Sequence, residues 1–429
     1  MNGKQTHGFA NEYIWDGFAA DGSNKTMRKD RRVVMFDNFT DYGGEIGKHA
    51  KSVGTLEPKR WMIIPEGTAL DKSNSFTGNY SLKFTVPPNL EKGRTISQWV
   101  DTRALRGEPM NGEFMTGRGN MQDALAGIKE SEYGPPGQSP VYDTAHKEGG
   151  YDHLFMRAAV MFGETYENSV HTGMGLSGGY FNRPHFYMGS LPEHPGSSAG
   201  YRSNGFDRFI ASLEPNMRTQ TGITPPEAPR QPGWLNIYNY GAEQTGIHGN
   251  HIFADGTVVP ATGGDRTRFL SRYENKNKGF IYFDNYCPPL CEWITLEYEL
   301  KLNTVIGTPV SPGSNFLYPR GDHEKTQASV VESPIGSKYG RGPQPVPVGA
   351  SADYKVLADG IIRVWANGIL IMNYEDIIIR HTNEMTIDLV QFSAYFRNPP
   401  KAVDVWYDNV VVATEYIGPV NKTGADPDR

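Results

Sequence analysis

The sequence predicts an all-β protein: an antiparallel β-sandwich with long Gly/Pro-rich loops and little helix. Glycine and proline are abundant, with 49 and 30 residues in a chain of 429, which favours short strands joined by turns over helical bundles. Several segments alternate apolar and polar side chains with a period of two, as half-buried strands do. No internal repeat or heptad pattern occurs, so solenoids and coiled coils are set aside.

One domain with a polar segment at each end is the predicted organisation. We expect a polar and basic N-terminal arm over 1–32, a single sandwich over 33–419 with a long loop insertion at about 102–153, and a flexible C-terminal tail over 420–429. A sandwich of this kind can exceed roughly 200 residues as one domain. The arm ends in "KTMRKDRR", which is typical of a solvated segment and less often of one that grips a neighbouring molecule.

The first strands of the predicted sandwich are "RVVMFDNF" (32–39) and "YSLKFTV" (80–86). In "LFMRAAVMF" (154–162) the alternation places Arg157 opposite an apolar face. In "TLEYELKLNT" (295–304) Glu297, Glu299 and Lys301 share the polar face. These patterns indicate a half-buried antiparallel sheet.

The C-terminal third of the chain gives the clearest turn and strand signals. Asn367 and Gly368 separate two strand-like runs and suit a type I′ hairpin, because both central residues of that turn take positive φ. "LVQFSAYFR" (389–397) alternates again, with Gln391 and Tyr395 on its hydrogen-bonding face. "VDVWYDNVVVATEYIGP" (403–419) predicts a long final strand.

Charge and hydropathy exclude two classes of partner. The net charge of −6 and pI near 6.0 give no overall field that would collect nucleic acid or an anionic membrane. No apolar run approaches the roughly 18 residues of a membrane span, and the start of the given chain lacks a secretory signal pattern. We therefore expect no nucleic-acid and no membrane partner. For the location of the protein, we expect an extracellular or particle-associated one.

Several strands with one apolar face and one polar face suggest two stacked sheets, with a polar face forming a concave groove. Such surfaces bind sugars, because aromatic rings stack on pyranose C–H faces and planar polar groups bond to hydroxyls. For any single strand, a polar side is more often just the solvated face of a sheet. The recurrence of the pattern beside long loops favours carbohydrate binding.

The order of these segments resembles a known family. "LFMRAAVMF", "GMGLSGGYF", "GWLNIYNY", "GNHIF", "WITLEYELKLNT", "DGIIRVWANGILI" and "WYDNVVVATEYIGP" are similar to the jelly-roll, concanavalin A-like polysaccharide lyases of the alginate and glucuronan lyase group. The resemblance covers roughly Leu154 to Pro419 and implies a jelly roll that cleaves an acidic, uronic acid-containing polysaccharide.

The resemblance also implies a site. Family members carry a Lys ahead of a Gly-Leu-x-Gly-Gly-like turn and a Tyr-x-Tyr pair on a neighbouring strand. Gly175–Gly179 matches the turn and Tyr238-x-Tyr240 matches the pair, but "SVHTGMGL" offers His171 and Thr172 where the Lys is expected. This departure either puts catalysis in doubt or moves the base to a histidine.

The chemistry of β-elimination suggests which side chains are needed. The reaction removes a weakly acidic proton beside a carboxylate, so it needs a base, an acid and groups that neutralise the carboxylate. We predict His171 or His251 as base and Tyr238 or Tyr240 as base or acid. The predicted substrate-binding residues are Arg157, Asn236, Lys301, Gln391 and Tyr395. Each could instead serve packing or solvation, as such residues commonly do in sheets.

The sequence predicts no cofactor for this reaction and no catalytic metal. Cys287 and Cys291 supply two ligands, whereas a structural zinc needs four, and no H-E-x-x-H spacing occurs. A structural calcium through Asp37 or Asp408 is the one ion considered. Two other functions stay open: a non-catalytic carbohydrate-binding module, and a structural component of a particle or surface assembly that forms a homo-oligomer or larger assembly through its N-terminal arm.

Overall fold

A computed structural model describes the chain in 31–42, 67–89, 92–99, 150–166, 171–178, 205, 209–216, 230–242, 249–260, 285–307, 355–381, 383, 385–396 and 399–419. Most of the predicted arm, most of the predicted loop insertion and all of the predicted tail lie outside these residues. Within them, no helix is long and apolar enough to span a bilayer.

Seventeen strands and a short 3-10 helix at Thr40–Tyr42 make up the regular structure of the described residues. In chain order the strands are β1 (Val33–Asp37), β2 (Thr68–Asp71), β3 (Ser81–Val86), β4 (Lys92–Trp99), β5 (His153–Phe162), β6 (His171–Gly178), β7 (Phe209–Asn216), β8 (Trp234–Tyr240), β9 (Asn250–Phe253), β10 (Val258–Pro260), β11 (Ile294–Lys301), β12 (Val305–Ile306), β13 (Lys355–Val356), β14 (Gly360–Ala366), β15 (Ile369–Ile377), β16 (Ile387–Phe396) and β17 (Val403–Ala413).

Two large antiparallel sheets hold most of these strands. The first sheet has eight strands in the order β15-β14-β11-β5-β17-β3-β2, with β1 also paired to β17. The second has seven in the order β10-β9-β8-β7-β6-β16-β4, and β12 pairs with β13 in a small third sheet. The predicted all-β antiparallel sandwich is confirmed.

The core lies between the two large sheets. Alternate residues of β5, β11 and β17 in the first sheet and of β6, β7, β8 and β16 in the second belong to one buried apolar cluster. Tyr298 of the first sheet donates its hydroxyl to the Ala211 carbonyl of the second at 3.0 Å. Tyr407 likewise donates to the Ser393 carbonyl at 3.2 Å. Because these contacts join the facing strands, they fix which face of each sheet is turned inward.

The predicted hairpin and final strand are both present. Asn367 and Gly368 have φ of 48° and 76° and connect β14 to β15, as a type I′ turn requires. β17 runs through the middle of the first sheet, and its pairing with β5 shifts between Asp408 and Val411. Asn409 has a φ of 48°, so a bulge interrupts this long strand.

Asp37 and Asp408, the residues considered for calcium, are fully buried beside this bulge. All four of their carboxylate oxygens accept hydrogen bonds from the chain, from Phe39, Tyr42, Phe76, Thr77 and Asn409. Nowhere in the described ranges do three or more His, Cys, Asp or Glu side chains form a group that could hold a metal ion. The contacts give both aspartates a structural role, and the calcium stays a prediction.

Candidate functional site

The polar face of the second sheet carries the candidate site. Residues of β7, β8 and β9 that alternate with the core residues point away from the first sheet. In the paired register, Tyr238 lies between Ser212 of β7 and His251 of β9, and Asn236 lies beside Glu214. The sheet therefore brings together Tyr238, Tyr240, Asn236 and His251, four of the nine residues predicted from the sequence.

His251 is held by its neighbours on two strands. Its Nδ1 atom lies 2.9 Å from Asn236 Oδ1 and 3.8 Å from Glu214 Oε1. The imidazole ring packs against the Tyr238 ring, with ring centroids 4.8 Å apart. Only 3% of His251 is exposed, so the ring has a defined position.

Tyr238 and Tyr240 form a hydrogen-bonded pair beside this histidine. Their hydroxyl oxygens are 3.1 Å apart, and their rings meet edge to face with centroids separated by 5.3 Å. The Gly249 N–H donates to the Tyr238 hydroxyl at 3.2 Å. Burial, followed by the proximity of Tyr240 and Glu214, raises the pKa of Tyr238 well above its usual value. Tyr238 therefore keeps its proton at neutral pH.

Glu214 is the member of this cluster that the sequence analysis missed. It is fully buried and pairs with Asn236 across β7 and β8. A signal was present in "IASLEPN", where Ser212, Glu214 and Asn216 alternate with Ala211 and Leu213. The strand was overlooked because Pro215 is unusual inside a sheet.

β6 contributes two glycines, Gly173 and Gly175, to the middle of the same face. Gly175 pairs with Gln391 of β16 on one side and with Ser212 of β7 on the other. A Cβ atom at Gly175 would lie 3.1 Å from Gln391 Cγ, so the Gln391 side chain lies over this glycine. The predicted binder Gln391 is thus on the candidate face, separated from Tyr238 by two strands, β6 and β7.

His171 and Tyr395 lie at one end of this face. They pair with each other across β6 and β16. His171 is four residues along β6 from Gly175. Gly175 pairs with Ser212 of β7, which in turn pairs with Tyr238 of β8. Since β6 and β8 are separated by β7, their backbones are roughly 10 Å apart. The backbone of His171 is therefore remote from the cluster around His251.

Arg157 lies in the first sheet, and its side chain faces away from the core. It is fully buried. It donates from Nη1 to the Gly418 carbonyl at 2.7 Å and from Nη2 to Asn409 Oδ1 at 2.5 Å. Glu297, its partner across β5 and β11, accepts the N–H groups of Ile417 and Gly418 at 2.8 and 2.9 Å. Arg157 and Glu297 thus fasten the segment that follows β17.

Lys301 also belongs to the first sheet. It ends β11, its Nζ lies 3.9 Å from Asp359 Oδ2, and its side chain is 36% exposed. Arg157 and Lys301 are therefore not brought to the face that carries His251.

Comparison with solved structures returns polysaccharide lyases among its matches. Solved structures with a similar fold include alginate lyase Aly36B (11% identity, TM-score 0.41, 90% of this chain and 98% of that chain covered). They also include alginate lyase vAL-1 from Chlorella virus (11%, 0.36, 81% and 88%) and the endo-β-1,4-glucuronan lyase of the fungus Trichoderma reesei (9%, 0.32, 82% and 91%). At these scores the likeness bears on neither the reaction nor the substrate of this chain.

No protein-family model matches the sequence, and the search among curated proteins gives no significant match.

Proposed function

We propose that this protein is a polysaccharide lyase that binds an acidic polysaccharide along the polar face of the second sheet and cleaves it by β-elimination. The observation that carries the proposal is the cluster of His251, Tyr238 and Tyr240, in which a histidine and a hydrogen-bonded tyrosine pair lie side by side. A base next to a proton donor is what elimination across a glycosidic bond requires.

The roles within the cluster follow from protonation. His251 is the base, because imidazole is the side chain whose ordinary pKa lies near neutral pH. Tyr238 is the proton donor, because burial raises its pKa and keeps the hydroxyl protonated. Tyr240 bonds to that hydroxyl and orients it.

The proposed reaction balances without any further reagent. His251 takes the proton from C5 of a uronate residue, and the C5–H electrons form the C4–C5 double bond. The bond from C4 to the glycosidic oxygen breaks, and that oxygen takes the proton of Tyr238. Proton exchange with solvent then restores both side chains. Gln391 is three strands from Tyr238 and four from His251 in the sheet order, so its amide, which can donate to a carboxylate, is the candidate for binding another uronate of the same polymer.

An absorbance assay tests the proposal. The unsaturated uronate formed by elimination absorbs in the ultraviolet, so the purified protein is mixed with alginate, glucuronan, pectate, ulvan and glycosaminoglycans. We expect a rise on at least one polymer and a loss of about 100-fold or more in His251→Gln and Tyr238→Phe. His153→Gln and Tyr80→Phe, changes of the same type in or beside the first sheet, should retain the rate. No rise on any polymer would sink the lyase proposal.

A non-catalytic carbohydrate-binding module is the second candidate. It is favoured by the position where the family resemblance implies a Lys: Thr172 is fully buried there and pairs with the core residue Ala394. Such a module would be stabilised against heating by a polymer with no change in absorbance. The larger assembly through the arm stays a prediction, which a sizing column would test.

A further inference from the structure

The amide of Asn236 has both of its ends engaged, which gives this residue a role other than the substrate binding predicted from the sequence. Its Nδ2 atom donates to the backbone carbonyls of Glu214 at 2.9 Å and Trp234 at 3.4 Å. Its Oδ1 atom faces His251 Nδ1 at 2.9 Å. Because carbonyl oxygens only accept hydrogen bonds, the NH2 end must face them and Oδ1 must face the imidazole.

This arrangement determines the tautomer of His251. An amide oxygen accepts and cannot donate, so the hydrogen bond to it exists only if Nδ1 carries the proton. In the neutral ring Nε2 is then the unprotonated, basic nitrogen. The tautomer of a histidine is set by the hydrogen bond that its other nitrogen makes.

A carboxylate lies close to the same nitrogen. Glu214 Oε1 is 3.8 Å from His251 Nδ1, beyond hydrogen-bond distance, so the carboxylate acts through its charge. Glu214 from β7 and Tyr238 from β8 are ionisable side chains that lie near the ring, and β10 pairs its Val259 with His251. A negative charge at this distance favours the protonated ring.

We propose that Asn236 is a positioning residue that holds His251 in the Nδ1–H tautomer, and that Glu214 stabilises the imidazolium formed when Nε2 takes a proton. The inference deepens the proposed function, since it assumes that His251 is the base of that reaction. In this proposal the Asn236 amide fixes the tautomer of His251 and the Glu214 carboxylate supplies the charge. Each contribution can therefore be removed by a separate substitution.

NMR of the free protein tests the tautomer without any substrate. The protein is labelled with ¹⁵N-histidine, and the His251 signals are assigned by their loss in His251→Gln. We expect a protonated Nδ1 and an unprotonated Nε2 in the native protein. Asn236→Asp, which keeps an acceptor but adds a negative charge beside the ring, should show the same tautomer above a raised pH midpoint. In Asn236→Leu the Nε2–H form should appear. Asn239→Leu, a change in the same strand on its other face, should leave the tautomer unchanged.

Glu214→Gln tests the charge while leaving Asn236 in place. The tautomer should stay Nδ1–H, and the pH midpoint of the His251 titration should fall. An Nε2–H ring in the native protein, or an unchanged midpoint in Glu214→Gln, would overturn the inference.

Activity then separates this inference from the proposed function. If the absorbance assay gives a rise, Asn236→Leu should lower kcat on the order of 100-fold. Asn236→Asp should restore it at a pH above the raised midpoint of His251, and Glu214→Gln should displace the pH profile. If no polymer gives a rise but the NMR results are as expected, the positioning holds and the lyase function fails. If the polymer is cleaved while the NMR results are not as expected, the lyase function stands and the positioning role fails.

Discussion

At the scale of single residues, the Arg157 and Glu297 pair shows how a charge can be buried for structural reasons. Burial lowers the pKa of Arg157 to about 10, against the opposing effect of Glu297. Burial also raises the pKa of Glu297 to about 7, against the N–H groups of Ile417 and Gly418 and the charge of Arg157. Each side chain is held in the protein interior by the other and by the chain that follows β17.

Replacing one member of this pair should be strongly destabilising. Arg157→Met removes the hydrogen bonds to Gly418 and Asn409 and the positive charge near the buried Glu297, which together should cost about 3–5 kcal/mol. Chemical denaturation measures the loss. Lys83→Met is the control, because the pair of Lys83 and Asp404 has side chains 27% and 28% exposed and should contribute about 0–1 kcal/mol. Equal losses in the two variants would contradict the structural role of Arg157.

The raised pKa of Glu297 also predicts a pH dependence of stability. The carboxyl titrates near its ordinary value of 4.5 in the unfolded chain and near 7 in the folded protein, so between these values the folded state binds more protons. Its contribution is therefore fully present below about pH 4.5 and is lost as the pH rises through 7, by roughly 3 kcal/mol.

Urea denaturation of the native protein and Glu297→Gln between pH 5 and 8 checks this dependence. The stability of the native protein relative to the variant should fall across this range, because the other titrating groups cancel in the difference. A constant difference would argue against the raised pKa.

At the scale of elements, β6 can tolerate a side chain at one glycine and not at another. A Cβ atom at Gly173 would lie 1.9 Å from the Leu213 carbonyl oxygen, whereas one at Gly175 first meets the flexible Gln391 side chain at 3.1 Å. Gly173→Ala should cost about 1–3 kcal/mol through overpacking. Gly175→Ala should cost less and weaken polymer binding by displacing Gln391. Thermal unfolding measures the stability of each variant, and a titration measures polymer binding by Gly175→Ala. Similar melting temperatures in the two variants would contradict the predicted difference in stability.

The elements that the sequence predicted well are those with an uninterrupted alternation. The alternation is clear in β5, β11, β16 and β17, because one side of each strand packs in the core. The hairpin was predicted because Asn367-Gly368 suits only a few turn types. β7, and Glu214 with it, was missed because its alternating segment contains a proline, which is unusual inside a sheet. A local pattern also says nothing of what covers a strand, so the chain segment held by Arg157 could not be foreseen.

At the scale of the whole molecule, tyrosines of the first sheet bond to the backbone of the second across the core. Tyr298 donates to Ala211 and Tyr407 to Ser393. Tyr298→Phe should cost about 1–2 kcal/mol, because a buried acceptor loses its donor, whereas the half-buried Tyr80→Phe should cost less. Denaturation of both variants measures the difference, and equal effects would show that the bridge adds nothing.

These tyrosines also limit stability at high pH. Burial raises the pKa of Tyr298 and Tyr407 well above the usual value, so they ionise only when the chain unfolds. Their contribution is fully present below about pH 10 and is lost as the pH rises further. Denaturation midpoints should fall above that pH, and less steeply in Tyr298→Phe.

At the candidate site too, alternation within a strand could be predicted from the sequence, whereas the pairing of strands could not. Alternation correctly placed Asn236, Tyr238 and Tyr240 on one face of one strand. Alternation could not show which sheet a strand belongs to, because a strand has two faces in either sheet. Arg157 and Lys301 of the first sheet were therefore grouped with residues of the second sheet. Convergence of His251 with the tyrosines depends on the pairing of β8 with β9, which no local pattern specifies.

The position of β17 bears on the order in which the protein can be completed. One edge of β17 pairs with β5, while the other pairs with β3 over Val403–Tyr407 and with β1 over Val410–Ala413. The first strand of the described residues thus pairs with the last one. Contacts between such distant segments form slowly, so the first sheet must stay open on the ribosome and close only after β17 emerges. A chain ending before Val403 should expose unpaired strand edges and aggregate during synthesis.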